Sequence, residues 1–592
     1  MNMRYLTHKA VALAAMLVGA IAVSAQDQLN KSVEVTKAYI PTVHGATKLV
    51  VQPRIDDTVR LQPDIDYAIK PVACYTTFSS RRINPAKLNA TSTVKGNPGY
   101  VSFAMGYPFR TNFDLYINNR DTDNRIIGGY VNHRGSYSKR ETDIEAGYLH
   151  DTLQRRNAIS LYNAAGFFGS QSWDNLTLRG EVGYDNRVLH RFGVFTNPSF
   201  WMGTPPTVDT MSLYSSNKKS LIDYGRVHGN IYFGDDFSEL SELNFGVGLN
   251  TAYSYDLHGS EMVSLDAEAR VAQMFGRHGV DVALDYNSYY GISHLSGQGN
   301  QSIIIRPRYM FRSGIMRMTV GADYGYRSSR GFDVCQNYVF PHLDLAIDAI
   351  NGYIIPYVKA SGDFIDGSFE ALSRENPYIA PGVTAPTGAS ISAEAGVSGS
   401  VLQCLSYKAY FNFTHLDNMH HFVSLYKPAG SELTDSFGVI IDNAQCYTVG
   451  GNIEYMYAGV LTAGIDAHYY GYKLSTLPKG GGVPSFDVGV SLKYRHKTKF
   501  VIEAGAKVIG ARNFYEIAWA DSPVMMAADV VDDVFVNRVP ACVDVNLRFN
   551  LRLSDQWWMY IHGGNLAGSR LYTHNHYRSL GANVMLGFKT SF

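Results

Sequence analysis

The sequence predicts an all-β fold, a transmembrane antiparallel β-barrel of about 22 strands that follows a short extended N-terminal segment. Three observations lead to this fold class. From about residue 98 onward, apolar and polar residues alternate with a period of two, over stretches long enough to cross a bilayer when tilted. Short and long connections alternate between these stretches. Glycine and tyrosine are abundant, with 55 and 41 residues, as suits close strand packing and aromatic girdles.

The first 25 residues have the order of a secretory signal peptide. Arg4 and Lys9 precede an apolar run over residues 10–23, and small residues precede Gln26. A cleavable signal over residues 1–25 fits this order. The alternative, a transmembrane helix, needs a longer apolar run, since about 20 residues are required to span a bilayer. No apolar run long enough for a transmembrane helix follows in the chain.

Residues 26–97 form a separate unit in which prolines recur, at Pro41, Pro53, Pro63 and Pro71. This spacing excludes long helices and central strands, so we expect an extended segment. Its mixture of basic and acidic side chains suits a polar lumen wall. We therefore expect part of it to enter or cap the periplasmic mouth of the barrel as a reduced plug. The alternative is a disordered periplasmic tether that recruits another protein.

The strands of residues 98–592 show one apolar and one polar face. In the last stretch, 580–592, alternate residues suit lipid except for Thr590, and the others are small or polar except for Met585. A soluble sandwich would use seven to nine shorter strands. Charges within strands should face the lumen, because a lysine or arginine at the lipid midplane costs about 2–4 kcal/mol. The charged residues expected there are Lys493, Glu503, Lys507, Asp544 and Arg548, with Val490, Ile502 and Val545 expected on the lipid side.

The connections set the strand count. Short ones are expected at 121–124, 168–173, 236–241, 275–279, 312–314, 351–352, 399–403, 457–460, 496–499 and 554–556. Longer ones are expected at 137–156, 196–225, 256–261, 291–301, 327–337, 365–387, 428–440, 473–484, 513–538 and 569–579. With Cys404 to Lys427 taken as one long strand, the alternation predicts about 22 strands, with 20 or 18 as alternatives, and places both termini in the periplasm.

Charge and cysteine usage exclude several function classes. The 52 basic and 52 acidic residues balance, which gives no electrostatic case for nucleic-acid binding. The five cysteines are far apart and predict free thiols, buried or facing the lumen, rather than a disulfide framework or a zinc site. They are Cys74, Cys335, Cys404, Cys446 and Cys542.

No constellation of residues predicts catalysis, a cofactor or a metal. His574 and His576 form an H-x-H pair without an evident third ligand, and a metal site needs three or four. The loop-tip histidines His415, His420 and His421, and the acidic Asp529, Asp532 and Asp533, are expected to be ordinary exposed groups. There is no G-x-S-x-G, and the glycines at 480–482 do not precede a helix. We expect a protein that is not an enzyme, with no catalytic, cofactor-binding or metal residues.

Two stretches resemble a known family. The C-terminal part, 543–592, contains Gly564-Asn565-Leu566, then Tyr572 and a closing strand that ends in Phe592. It resembles the last hairpins of TonB-dependent receptors, and the terminal aromatic strand resembles the assembly signal of outer-membrane barrels. The stretch 365–378 is similar to a receptor-like barrel group from Bacteroidota. The resemblance covers about residues 99–592.

The resemblance implies an outer-membrane receptor or transporter-like barrel that binds or passes a solute. Only residues 26–97 lie between the expected signal peptide and the barrel, so we expect a full plug domain to be lacking, and Val33-Glu34-Val35-Thr36 is only faintly similar to a TonB box. The implied partners are outer-membrane lipid, the barrel-assembly machinery through the C-terminal strand, and TonB or a periplasmic or surface lipoprotein. The alternative function is a non-transporting surface barrel that binds a partner protein or anchors an assembly through its external loops.

Overall fold

The computed structural model describes residues 98–119, 124–141, 155–173, 176–192, 221–401, 404–425, 436–517 and 522–592. The predicted signal peptide and the extended N-terminal segment lie outside the described residues. No helix among the described residues is long and apolar enough to cross a membrane.

Most of the described chain is β-strand. The first thirteen strands are β1 Gly99–Tyr107, β2 Arg110–Asn118, β3 Arg125–Glu141, β4 Arg155–Trp173, β5 Leu176–His190, β6 Leu221–Asp235, β7 Asn244–Asp256, β8 Ser260–Phe275, β9 His278–Ser293, β10 Gly299–Arg312, β11 Met316–Arg330, β12 Val334–Ile347 and β13 Ile355–Ile365. Helix α1, Phe369–Glu375, follows β13.

The second half continues with β14 Gly388–Val401, β15 Leu405–Leu425, β16 Phe437–Tyr457, β17 Leu461–Leu474, β18 Phe486–His496, β19 Phe500–Ile509, β20 Arg512–Ile517 and β21 Val524–Met526. A short helix α2, Ala527–Val530, and a 3-10 turn, Val531–Asp533, lead to β22 Val534–Val539. The last strands are β23 Cys542–Arg552, β24 Trp557–Gly564, β25 Tyr572–His574, β26 Tyr577–Arg578 and β27 Asn583–Ser591.

Twenty-two of these strands form one closed antiparallel ring. Strands β1 to β19 pair in chain order, β19 then pairs with β23, and β24 and β27 complete the ring. The last strand pairs with the first, with Phe588 opposite Phe103. Strands β20 to β22 are an excursion from the ring between β19 and β23, and β25 and β26 form a separate small sheet. The predicted count of about 22 strands is confirmed.

The two ends of the ring differ. At the end where the described chain starts and finishes, the Gly99 amide donates to the Phe592 carbonyl at 2.9 Å and the Phe592 amide donates to the Gly99 carbonyl at 3.0 Å. We call this end the turn end, since most connections there are tight, such as 276–277 between β8 and β9. The opposite end, with the connection 366–387 between β13 and β14, is the loop end.

The alternation of short and long connections is less strict than predicted. The first loop-end connection is only 108–109, between β1 and β2, and the sequence reading missed it. The connections 257–259 and 331–333 are also tight, although longer ones were expected there. Gly259 and Gly331 have φ of 90° and 93°, which other residues rarely adopt, and so they permit these tight turns. The long strand predicted from Cys404 is confirmed as β15.

The outer face of the ring is apolar. Side chains on alternate positions are strongly exposed, as for Phe167 at 78% and Val339 at 68%. Similar exposure recurs around the ring, at Phe103, Val247, Val282, Val320, Phe411, Val490 and Leu586. A continuous belt of this kind is what a barrel presents to lipid, and it confirms the transmembrane barrel class.

Candidate functional site

The loop end of the barrel is covered by a folded layer, which we call the lid. The lid consists of the connection 366–387, the loop-end parts of β15 and β16, and strands β20 to β22. Strand β20 pairs in parallel with β15, and β21 pairs in parallel with β16. In the ring, β15 and β19 are separated by three strands. The β15–β16 hairpin and the extension of β19 therefore lean toward each other over the mouth.

Helix α1 starts the part of the lid that runs inward from β13. Asp366 accepts hydrogen bonds from the Ser368 amide and hydroxyl, both at 2.8 Å, and the Ser368 hydroxyl accepts one from the Ala371 amide at 3.2 Å. A serine N-cap satisfies an amide that the first helical turn leaves free. Burial raises the pKa of the Asp366 carboxyl. This local network fixes the direction in which the connection leaves the wall.

The connection 366–387 then crosses the mouth. The Pro377 carbonyl accepts a hydrogen bond from the Tyr224 hydroxyl of β6 at 2.9 Å. The next carbonyl, of Tyr378, accepts one from the Phe437 amide at the start of β16 at 3.0 Å. Strands β6 and β16 are ten places apart in a ring of 22, almost opposite each other. Two consecutive residues thus join opposite sides of the barrel.

The lid has an apolar core of its own. Phe437, Ile379 and Leu372 are 2%, 1% and 0% exposed. The Tyr378 ring stacks on that of Tyr577, from the last loop-end connection, at 3.7 Å between centroids. Burying one such side chain is worth about 1.5–3 kcal/mol. A core of several residues makes the lid a folded structure rather than a set of independent loops.

Polar contacts tie the lid to the ring on the side of β5 to β11. The buried Arg191 donates to the Ile379 carbonyl at 3.0 Å. Arg226 of β6 pairs with Glu370 at 2.8 Å, and Glu370 also accepts from the Ser254 hydroxyl at 2.8 Å. Further along the ring, the side chains of Ser260, Asn300, Arg327 and Ser329 bond to the backbone of residues 382–387.

Glu370→Gln is expected to loosen the connection 366–387. The substitution removes the charge that pairs with Arg226 and, at 2.8 Å, with Arg374, and a hydrogen bond to a charged group contributes about 1.5–3 kcal/mol. Faster hydrogen exchange of amides in 366–387 would show the loss. Glu503→Gln is the matched control, because Glu503 pairs with Lys493 at 3.4 Å in the ring and does not contact the connection. Equal exchange in both variants would contradict the role of Glu370.

Below the lid, the inner face of the ring is charged. Lys493 lies opposite Glu503, Glu503 opposite Arg548, and Lys507 opposite Asp544. Directly opposite residues share a face, so all five predicted lumen charges lie together, as the alternation predicted. Strands β9 to β13 carry a second network, in which Arg306 and Arg308 pair with Asp285, Asp323 and Asp363.

Cysteine substitutions can test this arrangement directly. A water-soluble thiol reagent is expected to label cysteines placed at Lys493, Glu503, Lys507, Asp544 and Arg548 in membranes. Val490, Ile502 and Val545 should stay unlabelled, because the register puts them on the opposite, lipid face. Labelling of the second set in place of the first would show that the faces are reversed.

Four of the five histidines considered from the sequence contact residues of the lid. His420 and His421 are buried, at 5% and 4% exposed, so the expectation that they are exposed is wrong. His574 packs edge-on to Tyr378 at 5.8 Å, and burial lowers its pKa to about 4. His576 contacts Glu516 at 2.7 Å, and His420 contacts Glu375 at 2.8 Å. His421 packs against Tyr472 of β17 and Tyr515 of the lid, and His415 lies further down β15. Asp529, Asp532 and Asp533 are exposed. Within the described ranges, no group of three His, Cys, Asp or Glu residues could hold a metal ion.

The cysteines follow the prediction with one exception. Cys404, Cys446 and Cys542 are free thiols that are buried or half-buried. Cys335 is free but exposed, so its predicted burial is wrong. It lies opposite Ser328 and four positions from Val339 along β12, which places it on the outer face. Cys74 lies outside the described residues.

The sequence reading missed the lid residues. It treated 365–387 as a long external connection and used 365–378 only for a family resemblance, and it assigned no role to Glu370, Tyr378 or Arg226. A signal was present, because 366–387 contains Phe369, Leu372, Ile379 and Val383, more large apolar residues than an exposed loop needs. Their partners on β5, β6 and β16 could not be identified from that signal.

Solved structures of other proteins share the fold of this chain. No protein-family model and no curated protein matches the sequence. A mutant of the ferric enterobactin receptor PfeA from Pseudomonas aeruginosa, in complex with enterobactin, aligns with a TM-score of 0.60 and 12% identity over 83% of this chain and 81% of that chain. A FrpB iron transporter variant from Neisseria meningitidis aligns with a TM-score of 0.61 and 10% identity over 84% of this chain and 82% of that chain. The siderophore receptor PirA from Acinetobacter baumannii aligns with a TM-score of 0.57 and 10% identity over 83% of this chain and 80% of that chain. At such low identity the likeness shows that this chain shares the large barrel fold of these receptors.

Proposed function

We propose that this chain is an outer-membrane receptor- or transporter-like barrel that binds a solute and lets it cross the outer membrane. The observation that carries the proposal is a closed 22-stranded ring with a charged inner face and an apolar outer face, whose loop end is covered by the lid. The turn end then faces the periplasm and the lid faces the outside. A polar lumen is a path for a hydrophilic solute, and the lid is the element that must move to admit it.

The solved structures support this reading. They belong to a ferric enterobactin receptor, an iron transporter and a siderophore receptor. A chain with the same barrel, with an inner face on which charges recur strand after strand, fits a related role in binding or passage. The expectation that the chain is not an enzyme stays a prediction.

The partners follow from the same reading. Outer-membrane lipid surrounds the apolar belt, and the barrel-assembly machinery recognises the closing strand β27. We propose TonB, reached through Val33–Thr36, as the source of energy for moving the lid, with a periplasmic or surface lipoprotein as the alternative partner. Solute uptake in cells with and without TonB would separate these, because uptake that persists without TonB contradicts the first.

A planar lipid bilayer tests passage itself. The purified full chain is expected to be closed at rest, because the lid crosses the mouth, and to open when a cargo solute or a partner is added. Stepwise or cargo-dependent conductance supports transport. Conductance that never exceeds that of a protein-free bilayer, under any cargo or partner tested, would contradict it.

The second function, a non-transporting surface barrel, is favoured by one observation. The lid has its own apolar core and ends in β22, whose Phe535 and Val536 are 48% and 40% exposed at the loop end. A folded surface of this kind can bind a partner or anchor an assembly without opening. Its signature is a silent barrel in the bilayer that retains a surface partner in pull-down experiments from intact cells.

A further inference from the structure

A cavity of about 410 Å³ opens from the inner face beside the turn-end halves of strands β10 to β15. We call it the turn-end cavity. Its lining includes four basic side chains, Arg312, Arg317, Lys359 and Lys408, and one carboxylate, Asp344. The sequence separates the basic residues by almost one hundred positions. Only the pairing of six consecutive strands brings them to one wall.

The strand register places these charges on the same face. Arg312 lies opposite Arg317, Asp344 lies opposite Lys359, and Ser398 lies opposite Lys408. Val320 and Val358, on the alternate positions of β11 and β13, are exposed on the outer face. The four basic groups therefore point toward the lumen, where water and a solute can reach them.

Two of the four basic groups have carboxylate partners. Lys359 lies 3.6 Å from Asp344, and Lys408 lies 2.9 Å from Glu394. Arg312 and Arg317 are exposed, and in the described part of the chain neither side chain forms an ion pair or a hydrogen bond. Like charges directly opposite each other on neighbouring strands destabilise a sheet. An anion between them would remove this repulsion.

We propose that the turn-end cavity binds a small, multiply charged anion that carries carboxylate or phosphate groups. A guanidinium group offers a planar pair of donors that matches either group, and a lysine ammonium adds a point charge. The hydroxyls of Thr319 and Ser398 line the same space and can donate further hydrogen bonds. The volume lies within the range of small-molecule sites.

This inference rests on the proposed passage of a solute, and it specifies the class of cargo. An anion that leaves the lumen at the turn end would pass the four basic groups last. The carboxylates further up this wall, Asp285, Asp323 and Asp363, are paired with arginines, so they present little repulsion on the way. The cavity would thus favour acidic solutes over neutral or basic ones.

Isothermal titration calorimetry of the full chain in detergent tests the site, with citrate and inorganic phosphate as separate probes. We expect at least one probe to bind, and to bind more weakly as NaCl is added, since salt screens exposed charges. The double variant Arg312→Gln/Arg317→Gln should weaken binding roughly tenfold or more, because losing even one charge-assisted hydrogen bond is worth about that factor. Heat-modifiable migration in gels confirms that the variant is folded.

Arg552→Gln is the matched control. Arg552 lies on the same inner face at the turn end, but on β23, and it pairs with Asp555 at 3.0 Å. The Arg552→Gln variant should bind the probe as tightly as the unaltered chain does. Absence of binding by both probes, or an equal loss in the control, would overturn the proposal. A barrel that binds citrate yet never conducts would support the anion site and contradict the proposed transport. A barrel that conducts but binds neither probe would support transport and contradict the anion site.

Discussion

Replacing residues 366–387 by a four-residue Gly-Ser turn is expected to convert the closed barrel into an open pore. Ile365 and Gly388 lie directly opposite each other at the ends of β13 and β14, so a short turn can join them without distorting the ring. The replacement removes the segment whose Pro377 and Tyr378 bridge β6 and β16. It also removes much of the apolar core of the lid.

The expected effect is large because barrels of this size enclose a wide lumen when nothing fills them. Single-channel conductance in a planar bilayer should rise roughly tenfold or more over the resting level, and cells should become sensitive to antibiotics that the outer membrane normally excludes. The triple variant Asp529→Asn/Asp532→Asn/Asp533→Asn changes an exposed part of the same end and should stay closed. An unchanged conductance in the replacement variant would show that the lumen is closed elsewhere.

Deleting Phe592 is expected to reduce insertion of the barrel while synthesis and export continue. The deletion removes both hydrogen bonds that join the end of the chain to Gly99. Two such bonds contribute about 1–3 kcal/mol, which corresponds to roughly a tenfold loss of the closed form. It also leaves part of the edges of β1 and β27 unpaired, and unpaired edges promote aggregation.

Substitutions where Phe592 meets Gly99, which we call the seam, separate the effect of the Phe592 phenyl group from that of the two backbone hydrogen bonds. Phe592→Asp keeps the backbone hydrogen bonds but loses the phenyl group that lies over Gly99. A Cβ added at Gly99 would lie 2.3 Å from this phenyl group. We expect Phe592→Asp to insert poorly and Phe592→Tyr to insert normally, measured by heat-modifiable migration and surface labelling. Gly99→Val should resemble Phe592→Asp, because the valine side chain needs the space that the Phe592 phenyl group occupies. Normal migration of both Phe592→Asp and Gly99→Val would contradict the role of the seam.

The ring could be predicted from the sequence because its determinants are local. The two-residue alternation assigns each side chain to a face without knowledge of the partner strand. In this way the alternation alone predicts that Lys493, Glu503 and Lys507 face the lumen, without reference to their partners. Turn chemistry between strands gave the count of about 22. It was less informative at 108–109, where a two-residue turn interrupts an otherwise continuous pattern.

The lid and the turn-end cavity were decided by the tertiary structure. Pro377 is followed directly by Tyr378, yet their carbonyls are bound by strands on opposite sides of the ring, and no local pattern encodes such a contact. Arg312 and Lys408 line the same cavity only because six strands pair in a fixed register. The alternation determines which face a residue occupies. The neighbours that it meets on that face depend on closure of the whole ring, which brings together residues far apart in the sequence.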